Sequence, residues 1–146
     1  MTWQQDFAPD GALRDIVIQD ASRDDWEKVL RLVESRYRPF RFTVGDETMH
    51  EIDRGSLFTR GEDRALLQFH VGDTALACHF FDESEIEFDF YPNDITTEEQ
   101  LAPVLRFLSD IGSVTGKTAI LTPENVHDAV IFQFSPDSGV VHYVAV

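Results

Sequence analysis

Glu85-Ile86-Glu87-Phe88-Asp89-Phe90-Tyr91 alternates acid with apolar side chain at almost every step. Successive side chains of a strand point to opposite faces, so this stretch reads as a strand with Ile86, Phe88 and Phe90 buried on one side. Glu85, Glu87 and Asp89 then project from the other side, about 7 Å apart.

Upstream, Arg64 to Val71 and Thr74 to Phe81 read as two strands joined at Gly72-Asp73, a pair suited to a tight primed hairpin turn. Phe40 to Val44 and Arg14 to Asp20 are further strands. Between those two, Ser22 offers an N-cap, and Asp24, Asp25 and Glu27 suit the positive end of a helix. Trp26, Val29, Leu30, Val33 and Tyr37 follow at helical spacing, and Pro39 closes the run. Asp46 to Asp63 has little pattern and predicts one or two short helical turns around Gly55.

Downstream, Thr97 and Gln100 are spaced as a capping box for a helix reaching Val114. Pro103 lacks an amide hydrogen, which shifts the expected regular part toward Leu101. Gly112 and Gly116 read as stop signals. Thr118 to Thr122, Ala129 to Ser135 and Val140 to Val146 complete the strands, with Pro136 to Gly139 as a turn.

The expected fold is α+β: a mostly antiparallel sheet of about seven or eight strands with two main helices packed on it. Val29-Leu30-Arg31-Leu32-Val33 echoes Val104-Leu105-Arg106-Phe107-Leu108, which raises duplication of a strand-helix-three-strand unit. No linker interrupts the 146 residues, so one domain is expected, with residues 1–13 as a flexible N-terminal extension.

Charge is uneven. The chain has 27 acids against 12 bases, a net of −15. Residues 1–65 carry 14 acids and 10 bases, whereas residues 66–146 carry 13 acids and two bases, Arg106 and Lys117. Such a surface repels phosphate backbones and attracts a basic protein partner. The start has no signal-peptide pattern, no run is long enough to span a bilayer, and the single cysteine, Cys78, fits a reducing, cytoplasmic setting.

Catalytic and cofactor motifs are weak. Gly112-Ser-Val-Thr-Gly116-Lys117-Thr118 has three residues between its glycines where a phosphate loop needs four, and it ends a helix where such a loop opens one. His50, His70, His79, His127 and His142 share no zinc-like local spacing, so neither a metal site nor any cofactor is expected. Cys78 alternates in phase with Leu76 and Phe80 and reads as core. Arg36, Arg38 and Arg41 form the one basic cluster and are expected to pair with acids of the same chain.

Two functional classes remain. One is a non-enzymatic acidic protein-binding module, such as a bacterial immunity protein neutralising a basic toxin, with Asp82, Glu83, Glu85, Glu87 and Asp89 as its contact face. The plain alternative for those acids is the wet side of a half-buried sheet. The other class is a small-ligand binder or enzyme with a pocket between helices and sheet, for which His70, His79 and Tyr91 are the candidates. Homodimerisation through the Val140–Val146 edge is a third outcome.

Overall fold

In the computed structural model, which describes residues 3–59 and 61–144, nine strands form one sheet in the order β3-β2-β4-β5-β6-β1-β7-β8-β9. The strands are β1 (Arg14–Ile18), β2 (Phe40–Val44), β3 (Glu47–Met49), β4 (Ala65–Val71), β5 (Thr74–Cys78), β6 (Ile86–Phe90), β7 (Ala119–Pro123), β8 (Phe132–Ser135) and β9 (Val140–Tyr143). All their pairings are antiparallel. The helices are α1 (Arg23–Arg36) and α2 (Glu98–Thr115). The α+β architecture expected from the sequence is therefore present, with one strand more than expected. That strand is β3, which came from the unpatterned 46–63 stretch because it contributes only three residues and buries none of them.

Both helices start on side-chain caps. Ser22 accepts from the Asp25 amide while Asp25 accepts from that of Ser22, and Thr97 and Gln100 make the same reciprocal pair. Helix α2 begins at Glu98 despite Pro103. The proline costs only the bond to the Glu99 carbonyl, whose residue is exposed. Its ring lies against Gly72, whose φ of +58° makes the β4–β5 turn and where a Cβ would sit 2.8 Å from Pro103 Cγ.

Gly116 ends α2 in the left-handed conformation, as expected of a stop signal. Gly112 does not end it. It sits inside the helix, against the Phe134 ring. Lys117, the lysine of the apparent phosphate loop, instead pairs with Asp25 at 3.1 Å in the first turn of α1.

The core lies between the helices and one face of the sheet. Phe107 of α2 packs edge-on to Phe88 (5.0 Å between centroids) and to Tyr37 (5.2 Å), and lies tilted against Phe69 (5.4 Å). Trp26 of α1 packs on Phe58 and Phe80. Cys78 is fully buried, and that burial pushes its thiol far above the usual range.

The expected extension is packed where it is described. Trp3–Phe7 form a 3-10 turn, Phe7 is buried against Phe90 and Phe132, and Arg14 holds the carbonyls of Asp6 and Ala8. Met1 and Thr2 lie outside the described residues, as do Ala145 and Val146 at the end of the expected last strand.

The helix echo does not extend to strand order. After α1 the strands run inward, ending with β5 beside β6. After α2 they run outward, from β7 beside β1 to β9 at the edge. A twofold repeat would need the same direction in both halves.

Candidate functional site

Strands β6 and β1 pair at the centre of the sheet, and their register decides what its helix-free face carries. Asp15 is opposite Asp89, and Val17 is opposite Glu87. Partners opposite one another in a ladder share a face. Asp15, Glu87 and Asp89 therefore gather on the side away from Ile16, Phe88 and the helices.

These acids are not on a wet surface. Only 1% of Asp15 is exposed, and the side chains of Glu87 and Asp89 are 14% exposed. The cover is the 124–131 segment, whose end from Ala129 belongs to the expected strand but precedes β8, which starts only at Phe132. Asn125 takes a φ of +60°, a conformation its short polar side chain tolerates, and its amide donates to Asp15 Oδ2 at 2.9 Å. The turn that follows brings the imidazole of His127 over the cluster. Its Nε2 lies 3.0 Å from Asp15 Oδ2 and 3.6 Å from Glu87 Oε1, and its Nδ1 lies 3.6 Å from Glu85 Oε1. One donor atom each from Asp15, Glu87 and His127 falls within 4.8 Å of the others, so these three could hold a metal ion.

Electrostatics follow from that crowding. Burial, then the neighbouring Asp15 carboxylate, pushes Glu87 up to about 7. Burial also raises Asp89, opposed by His79, whose Nε2 is 3.7 Å away, and assisted by Asp15.

Large apolar side chains border the acids. His79 stacks on Phe81 at 5.2 Å. Between them Phe80 takes a φ of +54°, rare for a bulky residue, and turns its ring into the core against Trp26 and Phe42. Phe81 is thereby left 56% exposed. Tyr91, next after β6, is 61% exposed, and Val126, next to His127, is exposed too.

Of the five acids expected on a contact face, Glu85, Glu87 and Asp89 are brought together with Asp15 and two histidines. Glu83 stands at the margin and pairs with Arg23 at 3.1 Å. Asp82 bridges to Glu85 through the backbone and accepts from the Ser84 amide. Arg36 pairs with Asp110, and Arg38 stacks over Phe40.

The histidines expected in a helix–sheet pocket are not together. His70 is exposed on β4 and lines a shallow cleft with Phe40, Arg41 and Gln68. His79 lines a separate cleft of about 500 Å³ with Phe58, Arg64 and Phe81. The space between helices and sheet is instead filled by the aromatic core. Sequence reasoning missed Asp15 and His127, since neither belongs to a local pattern. The signal within reach was an acid, Asp15, directly before the apolar run Ile16-Val17-Ile18 of β1.

No protein-family model matches the chain, and no curated protein matches it. Among solved structures, one chain of the crystal structure of the toxic C-terminal tip of CdiA from Pseudomonas aeruginosa in complex with immune protein matches with a TM-score of 0.50. Identity is 14%, over 84% of this chain and 94% of that one. At that identity the likeness is one of fold: this α+β architecture is similar to that of one component of a toxin-tip complex.

Proposed function

We propose that the chain is a non-enzymatic inhibitor, an immunity-type protein that covers a basic toxin with the helix-free face around β6. One observation carries the reading: a central group of carboxylates, Glu85, Glu87 and Asp89, is bordered by the exposed side chains of Phe81, Tyr91 and Val126. Apolar anchors beside acidic groups are what a protein contact needs, since aromatics supply affinity and opposite charge supplies steering and register. The fold likeness to a component of a toxin-tip complex supports the same reading. Of the two roles in such a complex, a net charge of −15 suits the inhibitor of a cationic enzyme.

The test is to read the adjacent genes for a basic toxin-like domain, whose absence counts against the reading, and to co-express the chain with that domain, read as cell survival, alongside the affinity of the purified pair at low and high salt. Wild type is expected to protect, and binding is expected to weaken steeply with salt. The double variant Glu85→Lys/Asp89→Lys is expected to lose protection. Full protection by that variant, or affinity indifferent to salt, overturns the reading.

A further inference from the structure

Asp15, Glu87 and His127 come from β1, β6 and the 124–131 segment, and fold alone brings them together. The separations from His127 Nε2 are 3.0 Å to Asp15 Oδ2 and 3.6 Å to Glu87 Oε1. Ligand bonds of about 2.0–2.1 Å in a tetrahedron give ligand-to-ligand edges of about 3.3–3.4 Å. Both edges from His127 lie within a few tenths of an ångström of that value, and one donor atom from each of the three residues falls within 4.8 Å of the others, so a modest closure of the two carboxylates would complete the tetrahedral face.

We propose that Asp15 Oδ2, Glu87 Oε1 and His127 Nε2 form a three-ligand site for a divalent transition metal of the zinc class. The donor set selects the class: one imidazole nitrogen with two carboxylate oxygens suits zinc, whereas calcium and magnesium take oxygen shells. His127 is also arranged for the task. With Nε2 turned to the ion, the ring proton sits on Nδ1, which faces Glu85 Oε1 at 3.6 Å. A carboxylate behind the far nitrogen is the usual means of orienting a metal-bound imidazole. Asp15 is held in place from the other side by the Asn125 amide, which occupies one lone pair of Oδ2 and leaves another. A dication balances the charge of the two ligating carboxylates in a place where burial makes that charge costly. Three protein ligands leave the fourth position open to water or to a partner's side chain.

The site does not depend on the partner reading, because the free chain tests it. The full-length protein, stripped with a chelator, is titrated separately with zinc, magnesium and calcium by calorimetry, and its thermal midpoint is followed. One zinc per chain and a raised midpoint are expected, with no comparable response to magnesium or calcium. His127→Ala and Glu87→Gln should each weaken zinc at least about tenfold. His142→Ala, an exposed histidine on β9, should not. Glu87→Gln keeps the side-chain shape, so it remains decisive if His127→Ala loosens the loop. Uptake of less than one zinc, unchanged affinity in Glu87→Gln, or loss in His142→Ala overturns the proposal.

Discussion

His127 Nε2 lies 3.0 Å from Asp15 Oδ2, joining residues 112 apart in sequence and fastening the 124–131 segment to the middle of the sheet. Asp15 has two partners there, the imidazole and the Asn125 amide, and it is buried.

Asp15→Ala should therefore cost about 1–3 kcal/mol, the usual penalty for stranding partners of a buried polar group. Residues 124–131 should exchange amide hydrogens faster than in wild type, while α2 exchanges as before. Hydrogen exchange combined with urea unfolding measures both effects.

Gly112→Ala should destabilise the fold by about 1–3 kcal/mol, although alanine is the better helix former. A Cβ at this position would stand 2.1 Å from Phe134 Cδ2, so α2 or β8 must move. The double variant Gly112→Ala/Phe134→Leu should recover part of the loss on urea unfolding.

Arg54 clamps α1 to the loop before β4, bonding Glu27 and Glu34 through both ends of its guanidinium. Arg54 foremost, opposed by desolvation and helped by Arg31, holds Glu27 down to about 2 from 4.5. A carboxyl depressed on folding contributes stability above its unfolded value and loses it as pH falls through the folded one. Wild type should thus lose this contribution between pH 4.5 and about 2. Arg54→Met should cost about 1 kcal/mol at neutral pH and flatten the loss in that window. Urea midpoints across the pH range provide the check.

Phe81→Ala and Tyr91→Ala should change stability by no more than about 0.5 kcal/mol, since both side chains are largely exposed. If the β6 face binds the toxin, each should weaken the complex by more than about 1 kcal/mol. Calorimetry of the pair and thermal melting of the free variants separate the two effects.

Local chemistry explains how much of this was legible in the chain. The alternation of Glu85 to Phe90 marks a half-buried strand because side-chain direction repeats every two residues whatever surrounds it. The caps at Ser22 and Thr97, the turn at Gly72-Asp73 and the stop at Gly116 are set by atoms within a few residues. Net charge is likewise a sum over the sequence.

Only the tertiary structure decided what those elements meet. That Gly112 is a contact point for Phe134 depends on β8 crossing α2. That the polar side of β6 is half-buried depends on β1 pairing with it to place Asp15 opposite Asp89, and on the 124–131 segment folding back with His127. Such pairings are chosen by the burial of many side chains at once, so no short window of sequence contains them.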